Sequence, residues 1–285
     1  VTAPRTQAVD RHSAQHWYAR WEKQQELYAG DREERFEAAL DAVESVCGAP
    51  RVIVDLGSGP GSFAARAAQR FPAATVVAVD LDPFLIALGA AAHPSLEFVL
   101  SNIGTQGWAS SLHQYSGRID AIITSTALHY PPREVLDVIY RDCRRILQAG
   151  GVLVDADQFL PDGREWEGLL SRFDEIRARR TARPHEDWTQ WWRAVEVEPA
   201  FVDLLTLRAS VVPAHERDND LSVDDHLRSM RSAGFSRAGT VWQHGHSCVI
   251  VAVTAVEGSH SDRSASRNDD PHEDRADHQE HSSQQ

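Results

Sequence analysis

Residues 51–82 read RVIVDLGSGPGSFAARAAQRFPAATVVAVDLD, and the architecture follows from how this stretch divides. Val52-Ile53-Val54 is a β-branched apolar run, too short for a helix and suited to a strand buried on both faces. The turn from Asp55 to Gly61 carries glycines at 57, 59 and 61, and Ser62 to Ala68 has helical composition. A second β-branched run, Thr75 to Val79, ends at Asp80. Strand, glycine turn, helix, strand and terminal acid make a nucleotide-binding βαβ unit. Glycines let the backbone turn sharply and approach a ligand with no Cβ in the way. The helix beyond them offers unpaired N–H groups to polar ligand atoms. Asp80 lies 19 residues past Gly61, near the ~20 expected of an acid that grips ribose hydroxyls.

The dinucleotide fingerprint requires a glycine where this chain has Ser62. The spacing present is G-x-G-x-G with Asp55 two residues ahead of it, which resembles motif I of the class I S-adenosylmethionine-dependent methyltransferases. Arg145 to Leu153, R-I-L-x-A-G-G-V-L, is similar to the same family, and the likeness runs through most of residues 51–255. The resemblance implies S-adenosylmethionine as cofactor, held by Asp55, Gly57, Ser58, Gly59 and Gly61. It also implies Asp80 and Leu81 at the ribose, Asn102 and Ile103 at the adenine, and Ser125 at the rim. Asn102 departs from the family's usual acid, although its amide oxygen can accept from an adenine amino group.

Composition narrows the chemistry. A formal net charge of −13 over 285 residues argues against a nucleic-acid backbone or an anionic membrane as main partner. Lys23 is the only lysine, so Walker A and protein-kinase lysines are absent. Cys47, Cys143 and Cys248 are few and widely spaced, as expected of a reducing, cytoplasmic setting without disulfides. No signal peptide or membrane span is expected. Arginine and alanine richness suggests a GC-rich bacterial genome.

The pattern predicts a helical segment over 1–48, frayed over its first ten residues. A cofactor domain follows over 49–256, with a helical, lid-like insertion at about 160–213, and a polar, disordered tail over 257–285. Further strands are expected at Leu96 to Leu100, Arg118 to Thr124 and Val152 to Ala156. A helix from about Pro132 to Leu147 should close at Gly150-Gly151, and an antiparallel hairpin spans Arg237 to Ala255. The fold class is α/β: a single seven-stranded, mostly parallel Rossmann-like sheet with a reversed C-terminal hairpin, its ligand at the C-terminal strand ends.

Methyl transfer is an in-line displacement in which placement supplies ~7–11 kcal/mol and a positioned base ~10²–10⁴-fold. His129, just beyond the fourth strand, is the candidate base, with Asp157 and Gln158 at the same rim; the alternative is a loop-anchoring histidine packed on Tyr130. His185, Glu186 and His215 are weaker candidates. Trp17, Trp21, Tyr28, Tyr130, Trp188, Trp191 and Trp192 either line a substrate cavity or join helices to the sheet. The fourth strand ends in Thr124-Ser125-Thr126 rather than carboxylates, so no metal site is expected. The expected function is methylation of a small molecule at oxygen or nitrogen, plausibly in secondary metabolism such as antibiotic biosynthesis, by a monomer or homodimer. The alternatives are an NAD-dependent oxidoreductase, or a protein of this fold that binds S-adenosylmethionine without transferring methyl.

Overall fold

The computed structural model describes residues 9–28, 30–181, 186–213 and 218–256, with Tyr28 and Thr181 by backbone alone. The expectations for the first eight residues, the Tyr28 side chain, His185, His215 and the tail from 257 lie outside the described residues. Two helices, α1 (Arg11–Tyr28) and α2 (Arg32–Cys47), precede β1 (Val52–Leu56), α3 (Ser62–Arg70), β2 (Thr75–Asp80), α4 (Pro83–Ala92) and β3 (Glu97–Leu100). A 3-10 helix, Trp108–Tyr115, leads to β4 (Ile119–Ser125), α5 (Arg133–Ile146) and β5 (Leu147–Gln158). Then come α6 (Arg164–Thr181), α7 (Trp188–Glu196), α8 (Val202–Val211), α9 (Val223–Ser232), β6 (Arg237–His244) and β7 (Ser247–Val253).

The strand order is β3-β2-β1-β4-β5-β7-β6, with β7 antiparallel to both of its neighbours. β1 pairs with β2 on one side and β4 on the other, so the chain reverses its direction of progression there. Such a switch point opens a crevice at the carboxyl ends of the strands. β1 is buried along its whole length, as its unbroken apolar run requires. One sheet face packs on α2 and α3 through Phe36, Leu40, Phe63 and Ala64; the other packs on α5 and α9 through Leu136, Ile139, Tyr140 and Met230.

One local expectation is corrected. Helix α5 stops at Ile146, and Leu147 to Gly151 already belong to β5, with Gly150 at φ 75°. Strand pairing therefore takes residues that propensity assigns to a helix end; a register shift between Ile119 and Ala121 absorbs the irregularity. The 3-10 helix was also not anticipated, and it brings Trp108, Leu112 and Tyr115 into the core.

Gly57 has φ 67°, and a Cβ built on it would come 2.3 Å from the Cβ of Ala127. The loops after β1 and β4 thus abut at the switch point, and only glycine fits. Gly57→Ala is expected to cost about 1–3 kcal/mol through this clash, lowering Tm by roughly 3–10 °C in a circular-dichroism melt. An unchanged Tm would show that the two loops separate freely.

Candidate active site

Four neighbouring parallel strands end together at the carboxyl edge, and each delivers polar groups there. Asp80, at the end of β2, accepts from Gly59 N at 2.7 Å and Asp82 N at 2.8 Å, and so sets the shape of the glycine turn. Burial pushes its carboxyl up to about 6, even against these hydrogen bonds. Gly57 N and Ser58 N both donate to Val79 O, fastening the turn to β2. Gly59 and Gly61 have φ of 55° and 88°. This cradle fits an adenosyl group: a carboxylate for the ribose, and backbone that approaches closely because side chains are missing.

Asp55 has another task. It is buried, accepts from Ala64 N at 2.9 Å and so fixes the first turn of α3; burial pushes its carboxyl up to about 8. Asn102 Oδ1 accepts from Gly104 N at 2.8 Å, which engages the oxygen considered for adenine, while Ile103 leans on the core. Leu81 is half-buried beside Asp80, and Ser125 is half-buried at the end of β4. Thr126, next along, has φ 50°, an unusual conformation for a β-branched residue.

The loop after β4 presents His129, whose Nδ1 lies 2.8 and 3.0 Å from the two carboxylate oxygens of Asp157 on β5. Burial pulls the imidazole down, but the charge and hydrogen bond of Asp157 outweigh it and hold His129 above the ordinary histidine value. Burial likewise pushes Asp157 up, and His129 and Arg35 overcome that and hold it low. Nδ1–H therefore donates to Asp157, and Nε2 is the ring nitrogen outside that bond. Tyr130 lies against this imidazole, ring centroids 4.0 Å apart; Gln158 is exposed at the rim, its N–H donating to Asp157.

Alternation along β5 puts Asp155 on the same face as Asp157. Burial first, then the Asp157 charge, push Asp155 well above the carboxylate range, so it carries its proton. Tyr140 Oη lies 3.3 Å from Asp155 Oδ2 and 2.7 Å from His226 Nδ1, while burial lowers His226 to about 4. Tyr140 thus bridges Asp155 of β5, to which its hydroxyl donates, and His226 of α9.

The tryptophans divide. Trp17, Trp191 and Trp192 are buried with Phe84 and Phe201 in a separate core between α1, α4, α7 and α8. They act as packing residues there. Trp21 closes over the glycine turn, 3.5 Å from a Cβ placed on Gly59, and touches Trp188, which is 38% exposed. Glu186 pairs with Arg20 of α1, away from His129 and Asp157 in the hydrogen-bond network.

Two residues not singled out from sequence stand out. Gln24, one turn beyond Trp21 on α1, is fully buried with neither amide atom partnered. Arg35 on α2 is 1% exposed, and its Nε and Nη1 have no partner. Burial pulls its guanidinium below the ordinary arginine value, while the charges of Asp157 and then Asp31 act against that. Burying such donors without acceptors costs several kcal/mol, about 1–3 or more for each group. The available signal was an arginine in the apolar period Phe36, Ala39, Leu40, Val43 of α2.

Residues 53–151 match the family model of a methyltransferase domain. A trans-aconitate 2-methyltransferase of Methylobacterium radiotolerans is 38% identical over 80 residues, covering 28% of this chain and 31% of that protein. A ribosomal RNA small subunit methyltransferase C of Hahella chejuensis is 32% identical over 138 residues, covering 47% of this chain and 38% of that protein. The chain thus spans less than half the length of these curated relatives. An O-methyltransferase family protein from Burkholderia thailandensis shares the fold with TM-score 0.52 at 15% identity, over 88% of this chain and 64% of that one.

The His129–Asp157 pair sets a pH window for stability. The raised histidine contributes fully below 6.5 and loses its contribution as pH rises through its folded value. The lowered aspartate contributes above 3.8 and loses its contribution as pH falls through its folded value. The contribution should therefore peak between about pH 4 and 6.5. Comparing urea midpoints of the wild type and His129→Asn across pH, the gap should be widest in that window and narrow toward pH 9. A gap independent of pH would refute the pairing.

Proposed function

We propose that this chain, which carries a class I S-adenosylmethionine-dependent methyltransferase domain, methylates an oxygen or nitrogen of a small molecule, of the kind made in bacterial secondary metabolism. One observation carries the reading: the glycine turn with its Asp80 anchor and the His129–Asp157 pair occupy one carboxyl edge, on the adjacent strands β2, β1, β4 and β5. Bound S-adenosylmethionine supplies an electrophilic methyl on a sulfonium. Asp80 would accept from the ribose hydroxyls, the 57–61 backbone would run along the cofactor, and Trp21 would exclude water above it.

Asp157 holds the His129 ring so that Nε2 can take a proton from an acceptor hydroxyl; a neutral amine would need only the placement. Arg35 and Gln24 bring unsatisfied donors and an acceptor, which suit an acceptor molecule bearing carboxylate or carbonyl oxygens. A relative named for trans-aconitate, a polycarboxylate, is in keeping with that chemistry. The net charge of −13 favours a small acceptor over ribosomal RNA.

Asp80→Ala should weaken S-adenosylmethionine binding about tenfold or more in calorimetry, since a hydrogen bond to a charged group is worth ~1.5–3 kcal/mol. Wild-type affinity should itself fall as pH drops through about 6, where Asp80 takes up its proton. Unchanged affinity in the variant would reject the site. For the base, His129→Ala should cut turnover by ~10²–10⁴ with cofactor affinity kept. In the wild type the rising limb of the pH profile should lie above the ordinary histidine value. Asp157→Asn should move that limb to lower pH; a limb unmoved by Asp157→Asn would retire His129 as the base.

A further inference from the structure

Helix α6 differs from the other long helices: among its described side chains, Arg164 to Arg180, none is buried. Its large apolar residues nonetheless follow a 3-4-3 spacing. Trp166, Leu169, Phe173 and Ile176 are 54, 56, 45 and 50% exposed, forming one stripe. That is the a/d seam of a two-helix pair. An isolated 18-residue helix containing Gly168 has little intrinsic stability, because helices in proteins draw it from a packed face. Positions flanking this stripe tie α6 to the body. Asp174 Oδ2 lies 2.6 Å from His246 Nδ1, and Arg177 Nη1 lies 2.5 Å from Asp31 Oδ2. Phe173 also packs edge-on to His244 of β6, ring centroids 5.1 Å apart, so the stripe lies half against the body and half in solvent.

We propose that this seam is a self-association surface, on which two copies of the chain pair their α6 helices antiparallel about a two-fold axis. The spacing is self-complementary. Centred on the stripe, antiparallel pairing sets Trp166 against Ile176 of the second copy and Leu169 against its Phe173, and symmetry repeats both layers. Charge selects the orientation. In a parallel pair the flanking positions set Glu165 against Leu170 and Arg172 against Arg177, whose charge Asp31 already meets, so no acid faces a free base. In the antiparallel pair Glu165 faces Arg179 of the second copy, twice, and the one like-charge contact is Arg172 with its own symmetry mate. The seam continues into a groove of about 560 Å³ lined by Leu160, Trp166, Leu170 and Val223, which widens the contact.

Burying the exposed half of four large side chains removes on the order of 400 Å² per copy, or ~800 Å² in all, which lies at the small, transient end of the interface range. The dimer is therefore concentration-dependent. This inference is independent of the reaction assigned above. Arg177 follows Ile176 directly, so pairing also steadies the residue that holds Asp31 near Arg35.

The test is sedimentation velocity on the full chain from about 1 to about 200 µM, the range in which a micromolar dimer forms. The 31.7 kDa monomer should give way to a species of twice that mass. Leu169→Glu with Ile176→Glu should stay monomeric throughout, with unaltered far-UV circular dichroism and Tm. Glu165→Arg should raise the dissociation constant several-fold, and Glu165→Arg with Arg179→Glu should recover it. A wild-type monomer at the top concentration would overturn the proposal, as would a dimer indifferent to the seam substitutions. Failure of the charge swap to recover association would overturn the antiparallel arrangement.

Discussion

Buried carboxylates at the tips of parallel strands must each find a proton, a cation or a donor, and in this chain those partners build the working edge of the sheet. Asp55 takes the Ala64 N–H and thereby starts α3. Asp80 takes the Gly59 and Asp82 N–H groups and shapes the glycine turn. Asp155 keeps its proton and joins β5 to α5 and α9 through Tyr140 and His226. Asp157 remains charged and orients His129. Desolvation is the common cost, and each carboxylate meets it by a different route. The like-charged neighbours Asp155 and Asp157 are separated into one acid and one base form, the division of labour that lets a site hold both a donor and an anion at neutral pH.

Much of this was legible in the sequence where local pattern and tertiary role agree. The β-branched runs at 52–54 and 75–79, the alternate glycines and the closing hairpin behave as their composition dictates, because both sheet faces are covered. Legibility failed where tertiary context overrides propensity. Leu147 ends the helix pattern by composition, yet it pairs with Ile119 of β4, and residues 148–151 form the irregular stretch before pairing resumes at Val152. Gln24 and Arg35 occupy positions in otherwise apolar helix faces, so the pattern hides them, and only burial without partners exposes them.

The tryptophans illustrate a second limit. A cluster of aromatic residues in an insertion is compatible with a cavity wall or with a core, since both bury the same rings. Trp191 is fully buried and packs edge-on to Trp17, Trp21 and Trp192, so α1, α4, α7 and α8 share a core of their own beside that of the sheet. Trp21 reaches the glycine turn, and Trp188 packs on Trp21 behind it. Arg208 ties this second core to the cofactor side: it stacks on Trp192 and reaches Asp82, which caps α4.

The position of β7 has a consequence for how the molecule is made. That strand lies between β5 and β6 and runs against β5, so its first residues, Ser247 and Cys248, stand beside Gln158 and Asp157 at the carboxyl edge. His246, just before it, anchors α6 through Asp174 and accepts the N–H of Phe159. On the ribosome, where folding proceeds from the N-terminus, the β2-β1-β4 half with its glycine turn is complete by about residue 125. The β5 edge stays open until β7 emerges and threads between β5 and β6. The strands of the glycine turn thus leave the ribosome well ahead of the strand that walls the edge beside Asp157.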